Sequence, residues 1–377
     1  MRFDFATAQQ VLFGSGRAAE LPALVAARGA RALLVTGASR RFADRLEAVA
    51  VVAIAGEPSF DAIRAGVASA REARVDVVVA IGGGSVVDAG KAIAMLLANG
   101  GDPLDYAELI GAGRAITRPS IPFIAVPTTA GTGSEATRNA VLFSPEHRLK
   151  VSLRSPLMLP HVALVDPDLM LDLPPAQTAA SGMDALAQLI EPFLSCKATP
   201  LVDALCRDGI PRVIRSLPRA VANGGDREAR SDLALAALYS GMALANAGLG
   251  AVHGLAGPIG GLFDAPHGAV CAALLPGVFE KNFLSSSAKA TEDAADDAKF
   301  AEVARLVTGR ADATPREAVA VLRELVARVR IPGLASYGVR AEHAADIARK
   351  AQATSSMKGN PVALSDEALA QVVVAAL

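Results

Sequence analysis

Two loops carry glycines and hydroxyl side chains at spacings that could bind phosphate groups. The first, residues 81–91 (IGGGSVVDAGK), follows a short apolar run. Its consecutive glycines let the backbone approach a ligand, and Ser85 and Asp88 have the spacing of a helix capping box. The amides and dipole of a helix that starts here attract a pyrophosphate, so Gly83, Gly84, Ser85 and Asp88 are candidate cofactor contacts. A tight glycine turn with an ordinary helix cap is the structural alternative.

The spacing of the first loop excludes two common phosphate-binding motifs. A Walker A motif has four residues between its first glycine and its Gly-Lys pair. Here five residues separate Gly84 from Gly90, and Ala92 stands where the motif needs Ser or Thr. A GxGxxG dinucleotide motif starting at Gly82 would need a glycine at position 87, which is Val87. The loop therefore belongs to neither type.

The second loop, residues 126–135 (VPTTAGTGSE), offers hydroxyl groups on a backbone loosened by two glycines. Thr128, Thr129, Thr132 and Ser134 lie within seven residues of one another. Such hydroxyls can hydrogen-bond a carboxamide or a ribose, as a nicotinamide dinucleotide would require. A turn rich in Ser and Thr is the alternative.

Two of the five histidines lie in a glycine-rich, nearly uncharged segment. His253 and His267 have few sequence neighbours that could satisfy a buried imidazole, and a metal ion would do so. Asp184 is a lone carboxylate at the start of an otherwise apolar helix, with Gln188 four residues later on the same face. Asp184 and the two imidazoles would leave a metal position open for water or substrate, as Lewis-acid catalysis needs. Hydrogen-bonded core histidines and a carboxylate that only complements the helix dipole are the alternatives.

The elements that would position these residues change type along the chain. In the first part, short β-type runs alternate with helix-type stretches, which predicts βαβ units around a mainly parallel sheet. After about residue 175, helical runs follow one another with almost no strand signal. We therefore predict an α/β dinucleotide-binding domain over residues 1–175 and an all-α metal-binding, catalytic domain over residues 176–377. The predicted strands are 32–36, 51–54, 75–81, 123–127 and 162–166, and the predicted helices are 61–73, 86–98, 178–194, 200–213, 228–247, 270–282, 298–306, 315–329 and 366–375.

Composition and charge argue against several classes of partner. The net charge is -1, and the chain has no Trp and only 4% aromatic residues, so we expect neither a nucleic acid nor a membrane as a partner. The first residues do not form a signal peptide, and no uncharged apolar run approaches the roughly 20 residues of a membrane span, which predicts a cytoplasmic protein. Cys196, Cys206 and Cys271 show no CxxC spacing and are interpreted as buried free thiols. The small, polar, acid-rich segment Ser285–Lys299 is predicted to be a mobile surface insertion.

Four motifs together resemble the iron-containing (group III) alcohol dehydrogenase superfamily. They are GGGSVVD at 82–88, PTTAGTGSE at 127–135, GMDAL at 182–186 and PHG at 266–268. The resemblance runs nearly end to end. It implies an oxidoreductase that transfers hydride between a small alcohol and its carbonyl, with NADP or NAD and one divalent metal, Fe²⁺ or Zn²⁺. It also implies a homodimer, which is common in the superfamily.

The resemblance carries individual roles over to this chain. The cofactor contacts that it implies lie in both loops and at one later lysine. They are Gly84, Ser85, Thr128, Thr129, Thr132 and Lys150. Three metal ligands of the superfamily match Asp184, His253 and His267, which thereby receive the catalytic role.

Two positions depart from the superfamily pattern. The usual fourth ligand is a histidine four residues after the aspartate, where this chain has Gln188. An amide oxygen binds metals weakly, so Gln188 is a weaker candidate for a fourth ligand. A non-ligating histidine thought to help move a proton is replaced by Gly257. With three protein ligands the site would be similar to the zinc site of glycerol dehydrogenases, and a metal-free member is the alternative.

In the superfamily, the residue at the end of the second strand bears on the choice between NAD and NADP. Members that use NAD often carry Asp there, but here Thr36 leads into Gly37, Ser39 and the pair Arg40-Arg41. A missing acid with a serine and two arginines suits the 2′-phosphate of NADP, so Gly37 and Ser39 are further candidate contacts. Solvated arginines at a helix start are the alternative.

Three other functions remain compatible with the motifs. One is a maleylacetate-reductase-like or metal-free reductase, although Asp184 and the wording of the second loop argue against the maleylacetate branch. Another is a metal-dependent lyase similar to dehydroquinate synthase, which uses NAD only transiently. The third is a non-catalytic nucleotide-binding relative whose site decayed at Gln188 and Gly257.

Overall fold

The structure is a computed structural model that describes residues 2–147, 149–289 and 294–377. The chain divides into two compact units. An α/β unit comprises Ala6–Thr129 and Gly133–Leu171, and a helical unit comprises Ala130–Thr132 and Asp172–Leu377 together with the N-terminal residues up to Phe5.

The α/β unit is built on a six-stranded sheet in which every pairing is parallel, in the order β1-β8-β5-β4-β2-β3. A separate antiparallel pair, β6 and β7, completes its strands. The strands are β1 (Gln10–Phe13), β2 (Ala32–Gly37), β3 (Ala50–Ile54), β4 (Val77–Gly82), β5 (Phe123–Pro127), β6 (Asn139–Ser144), β7 (Leu149–Arg154) and β8 (Val162–Val165). The helices are α1 (Leu21–Ala26), α2 (Phe60–Glu72), α3 (Gly84–Asn99) and α4 (Pro103–Tyr106).

The central strands are buried on both faces, which explains their continuous apolar sequence. Alternate residues of β4 enter two different cores: Val78 and Ala80 pack with α2, α3 and the β6–β7 pair, whereas Val79 and Ile81 pack with α1. The direction of winding reverses between β2 and β4, since β2 leads outward to β3 and β4 leads the other way to β5. The carboxyl ends of strands beside such a reversal are where ligands bind in open α/β sheets.

The helical unit contains nine α-helices in its described residues, and α5 lies at its centre against α6, α7 and α9. Residues from Met183 to Leu194 on α5 are all buried. The helices are α5 (Pro175–Leu194), α6 (Pro200–Ala222), α7 (Arg227–Ala247), α8 (Ala251–Leu262), α9 (His267–Lys289), α10 (Ala294–Thr308), α11 (Pro315–Arg328), α12 (Ala344–Gln352) and α13 (Asp366–Ala375).

The predicted fold class, a mainly parallel α/β domain followed by a helical domain, is confirmed. The sequence analysis named neither the short edge strand β1 nor the antiparallel pair β6–β7, and it did not name helices α1, α4, α8 and α12. The glycine-rich sequence of α8 hid its helical character because glycine is a poor helix former. The mobile surface insertion predicted at Ser285–Lys299 falls partly on helices, since Ser285–Lys289 end α9 and 294–299 begin α10. Residues 290–293 of that segment lie outside the described residues.

In the described part of the chain, no single helix has the length and apolar character needed to cross a membrane. One pair of helices, Arg227–Ala247 and Ala251–Leu262, meets those criteria only when the two are taken together, and it is bent by 100° at the break.

Candidate functional site

A buried cluster in the helical unit contains all three predicted metal ligands. Asp184 projects from α5 and is 2% exposed. Its Oδ1 lies 3.2 Å from Nε2 of His253 and 3.7 Å from Nε2 of His267. Its Oδ2 accepts a hydrogen bond of 3.2 Å from Nε2 of Gln188, one helical turn later. Burial alone would raise the pKa of Asp184, but the imidazoles of His267 and His253 hold it below its usual value.

His253 lies in the first turn of α8 and is oriented by Glu191 of α5. Its Nδ1 is 2.5 Å from Oε2 of Glu191, and the other oxygen of that carboxylate accepts a 2.7 Å hydrogen bond from the backbone amide of Val252. A proton on Nδ1 that is donated to Glu191 leaves Nε2 free to face the cluster. Burial would lower the pKa of His253, but Cys271 and Glu191 raise it well above its usual value. The sequence neighbours of His253 do not supply this partner, because Glu191 lies 62 residues away in the sequence.

His267 is the first residue of α9, and the next turn of that helix adds a fourth side chain, Cys271. The thiol Sγ lies 3.7 Å from Nε2 of His253 and 3.7 Å from Nε2 of His267. One ligand atom from each of Asp184, His253, His267 and Cys271 lies within 4.8 Å of the other three. We call this group the four-residue cluster.

The interpretation of the three cysteines as buried free thiols needs correction. Cys206 is such a thiol, and burial raises its pKa well above the usual value. Cys196 is exposed. Cys271 is buried inside the four-residue cluster; burial would raise its pKa, but His253 and His267 hold it below the usual value. A thiol four residues after a candidate ligand on one helix was the sequence signal for this residue.

The four-residue cluster fits a divalent metal of the zinc or iron type. A carboxylate oxygen, two imidazole nitrogens and a thiolate sulfur are the donors that such metals take in proteins. The hydrogen bond between His253 and Glu191 is the outer partnership typical of a metal-bound histidine. Gln188, by contrast, turns its amide nitrogen to Asp184, and its Oε1 is buried without a hydrogen-bond partner in the part of the chain described.

In the α/β unit, the two predicted cofactor loops follow neighbouring parallel strands. Gly82 at the end of β4 pairs with Pro127 at the end of β5, and the amide of Thr128 donates to the Gly82 carbonyl at 2.9 Å. Helix α3 begins at Gly84 with Gly83 as its N-cap residue, so no side chain caps it. The predicted cap by Ser85 is therefore wrong. The helix start retains the backbone amides that could hold a phosphate.

The carboxylate of Asp88 accepts hydrogen bonds from distant residues and does not complete a capping box. Its Oδ1 accepts from the hydroxyl of Ser134, and its Oδ2 accepts a 2.9 Å bond from the amide of Val141. Burial raises the pKa of this carboxyl. Asp88 and Ser134, both proposed as cofactor contacts, thus bind each other and join the first loop to the second.

Lys91, which the sequence analysis left without a role, anchors the second loop. It is fully buried, and its Nζ lies 2.8 Å from the Ser134 carbonyl, 2.9 Å from Oγ1 of Thr137 and 2.6 Å from the Asn139 carbonyl. Next to Ser134, the side chain of Glu135 is 3% exposed. Burial raises the pKa of Glu135 to about 7, against a smaller opposing effect of its own backbone and of Lys91.

The second loop contributes to both units. Ala130–Thr132 groups with the helical unit, so Thr132 belongs to a different unit from Thr128 and Thr129, which are part of the α/β unit. Within the helical unit, the Gly131 carbonyl accepts a 3.2 Å hydrogen bond from the hydroxyl of Ser240 and a 3.5 Å bond from Nε2 of Gln188.

The remaining predicted cofactor residues lie in the α/β unit. Gly37 ends β2 and Ser39 follows it, on one side of the reversal in winding, and Gly83–Ser85 follow β4 on the other side. Lys150 lies on β7, where its amine donates a 2.7 Å hydrogen bond to Glu57. A ribose contact by Lys150 would have to share the amine with that carboxylate.

Comparison with known sequences covers almost the whole chain. Residues 8–167 match the model of the family "Iron-containing alcohol dehydrogenase". Residues 178–377 match the model of the "Fe-containing alcohol dehydrogenase family, C-terminal". The chain belongs to the iron-containing alcohol dehydrogenase family.

Individual family members are similar over most of their length. Alcohol dehydrogenase 4 of Saccharomyces cerevisiae is 36% identical over 317 residues, which cover 84% of this chain and 80% of that protein. The 1,3-propanediol dehydrogenase of Klebsiella pneumoniae is 40% identical over 275 residues, covering 72% of this chain and 67% of that protein. The solved structure of an alcohol dehydrogenase from Oenococcus oeni matches with a TM-score of 0.90 at 32% identity, covering 100% of both chains.

The protein is therefore an oxidoreductase that acts on alcohols, as the sequence analysis predicted. Membership of this family implies a divalent metal and NAD(H). A sulfoacetaldehyde reductase from Bifidobacterium kashiwanohense, whose structure holds NAD⁺, matches with a TM-score of 0.87 at 28% identity over 99% of this chain and 98% of that chain.

Proposed function

We propose that the protein is a metal-dependent, NAD(P)-linked alcohol dehydrogenase that interconverts a small alcohol and its aldehyde or ketone. The observation that carries the proposal is the convergence of Asp184, His253 and His267, whose ligand atoms come from three different helices. Buried carboxylate and imidazole groups seldom gather without either an ion or a catalytic task.

The protein's own residues prepare this cluster for a metal. In the neutral form of His253, a proton on Nδ1 would be donated to Glu191, and the lone pair of Nε2 would then face the cluster. Gln188 binds one oxygen of Asp184 and leaves the other to face both imidazoles. A divalent metal held by Asp184, His253 and His267 would act as a Lewis acid that polarises the carbonyl oxygen of the substrate or lowers the pKa of the alcohol.

The dinucleotide is proposed to bind at the carboxyl ends of β2, β4 and β5. Gly83, Gly84 and Ser85 provide backbone amides at the start of α3 for the pyrophosphate, and Thr128 and Thr129 offer hydroxyls nearby, since a Cβ on Gly83 would lie 3.4 Å from Thr129. The nicotinamide supplies the hydride acceptor or donor, and the protein supplies orientation and electrostatics.

The test combines metal analysis with a turnover assay. Protein purified without chelators should contain one zinc or iron ion per chain, and it should change the absorbance of reduced nicotinamide when a panel of small aldehydes or alcohols is supplied with each cofactor. Asp184→Ala should lose both metal and turnover while keeping its circular dichroism spectrum. Retention of metal and activity in Asp184→Ala would refute the assignment, and turnover without net NAD(P)H oxidation would indicate a lyase.

We further propose NADP(H) as the preferred cofactor. The support is the loop after β2, where Gly37 and Ser39 replace an acid and exposed Arg40 follows, with Arg41 stacked 5.0 Å from the ring of Phe42. Replacing Arg40 and Arg41 by Ala should raise the KM for NADPH and leave that for NADH nearly unchanged. An equal effect on both cofactors would contradict the preference.

The proposal includes a cytoplasmic homodimer, and the dimer rests on the family resemblance. Sedimentation equilibrium should return twice the chain mass of 38.5 kDa. A monomer mass would contradict the dimer, and recovery of the protein outside the cytosolic fraction would contradict the location.

A further inference from the structure

Cys271 has the position of a fourth metal donor. It lies one turn after His267 on α9, so both side chains share one face of the helix. Its Sγ is 3.7 Å from each of the two imidazole Nε2 atoms, and the residue has no exposed surface. No other cysteine in the described chain has this environment: Cys206 is buried on α6, and the exposed Cys196 donates to the Lys358 carbonyl.

Four of the six distances between ligand atoms in the four-residue cluster are close to the edges of a tetrahedral site. Ordinary zinc bonds to nitrogen, oxygen and sulfur place N and O ligand atoms about 3.3 Å apart and S and N ligand atoms about 3.6 Å apart at tetrahedral angles. The corresponding separations here are 3.2 and 3.7 Å for Asp184 Oδ1 to the imidazoles, and 3.7 Å for both sulfur–nitrogen pairs. With the remaining two separations within 4.8 Å, this arrangement is compatible with one ion bound by all four residues.

The resemblance implies a fourth metal ligand at position 188, but the side chain of Gln188 makes hydrogen bonds within the protein. The amide nitrogen of Gln188 donates to Asp184 and lies at 3.5 Å from the Gly131 carbonyl. The nitrogen of a neutral amide is a poor metal donor, because its lone pair is delocalised into the carbonyl. The oxygen Oε1, buried and without a partner in the described residues, is the rival fourth donor.

We propose that Cys271, as a thiolate, is the fourth protein ligand of this site in place of the residue at position 188, and that the resulting carboxylate, two-imidazole and thiolate set binds zinc in preference to iron. The inference rests on the metal of the proposed function. With four protein ligands, the substrate oxygen would enter as a fifth ligand, an expansion that catalytic zinc sites allow. On binding, the S–H bond is exchanged for a sulfur–metal bond and the thiol proton is released to solvent. Thiolate donors favour zinc, whereas the oxygen and imidazole donors of the rest of the site suit several divalent metals.

The direct test is the spectrum of the cobalt-substituted full-length protein. Co²⁺ added to metal-free wild type should give a thiolate-to-cobalt charge-transfer band in the near ultraviolet. Cys271→Ala should lose that band and bind Zn²⁺ at least about 10-fold more weakly in competition with a chelator, a loss at the scale of metal-site substitutions. Cys206→Ala is the matched control, since it removes a buried thiol elsewhere, and it should keep both band and affinity.

Two further variants keep the test decisive. If Cys271→Ala does not fold, as judged by circular dichroism, Cys271→Ser preserves the side-chain shape and should also lose the band. The double variant Gln188→His with Cys271→Ala should regain metal affinity without the band. Both proteins are then given equal concentrations of Zn²⁺ and Fe²⁺ under anaerobic conditions. The double variant should bind several-fold less zinc relative to iron than wild type does.

The outcomes separate the two proposals. Wild type that binds no cobalt at all would overturn the metal of the proposed function. Wild type that binds cobalt without the band, or a band that survives Cys271→Ala, would overturn only the role of Cys271. If Gln188→Ala rather than Cys271→Ala weakens metal binding, Oε1 of Gln188 is the fourth donor. If the double variant and wild type bind zinc and iron in the same ratio, the zinc preference is overturned.

Discussion

Glu135 is expected to make the stability of the α/β unit depend on pH. Its carboxyl is buried beside the end of the second loop, and its pKa is raised from 4.5 to about 7. The folded state therefore binds more protons than the unfolded state between these values, so the free energy of unfolding falls as pH rises through this window. A shift of this size corresponds to about 3 kcal/mol, at 1.36 kcal/mol for each pKa unit.

The substitution Glu135→Gln imitates the protonated carboxyl at every pH. Its advantage over wild type in the free energy of unfolding should be below about 1 kcal/mol at pH 5 and should reach about 3 kcal/mol at pH 8. Urea unfolding followed by circular dichroism at both pH values measures this difference directly. Other titrating groups are common to both proteins, so their contributions cancel.

Glu72 provides the matched control, because it is an exposed glutamate at the end of α2 in the same unit. Glu72→Gln should stay within about 0.5 kcal/mol of wild type at both pH values. If Glu135→Gln is no more stable than wild type at pH 8, or if its advantage is the same at both pH values, burial does not hold this carboxyl in its neutral form and the reasoning fails.

Three further substitutions probe the loops and the cluster. Lys91→Met should destabilise the α/β unit by about 3 kcal/mol in urea unfolding, because it leaves a buried carboxylate and two carbonyls without their cation. Glu191→Gln should weaken Zn²⁺ binding by about 10- to 100-fold in chelator competition, because the charged acceptor that orients His253 is lost. Gly268→Ala should lower both metal content and thermal stability, because its Cβ would lie 2.2 Å from the carbonyl oxygen of Ala180 on α5 and would displace the start of α9.

Two of these expectations have a matched comparison. Glu280→Gln alters a surface glutamate of α9 that pairs with Arg323, and it should leave Zn²⁺ affinity unchanged. Gly257→Ala adds a Cβ that meets nothing within 4 Å, so it should be tolerated where Gly268→Ala is not. A Lys91→Met protein as stable as wild type, or a Glu191→Gln protein with wild-type affinity, would contradict the roles given to these side chains.

The order of elements could be predicted from the sequence because the signals for it are local. The run Phe123–Pro127 was predicted as a strand with the bounds that the structure has, and 366–375 was predicted as the helix that the structure places there. Buried parallel strands read as continuous apolar runs, and helices show their own period in a short window. The strands of the β6–β7 pair were missed because only their mutual pairing and their packing on α3 distinguish them from loop.

The partners of individual polar groups could not be predicted in the same way. Ser85 and Asp88 had the spacing of a cap, yet Asp88 binds Ser134 and Val141, more than forty residues away in the sequence. A local rule gives the partner that is near in sequence, but a buried carboxylate takes the donors that packing brings to it.

The sequence alone therefore determined the family, the fold class, and the residue types of both loops and of Asp184, His253 and His267. Only the tertiary structure decided that Glu191 orients His253 across 62 residues and that Cys271 meets His253 across 18. The spacing of His267 and Cys271 shows that they share a helix face, but it does not show what that face packs against. That choice depends on how α5, α8 and α9 pack together, and such packing depends on the whole buried surface of the helices and not on any short window of sequence.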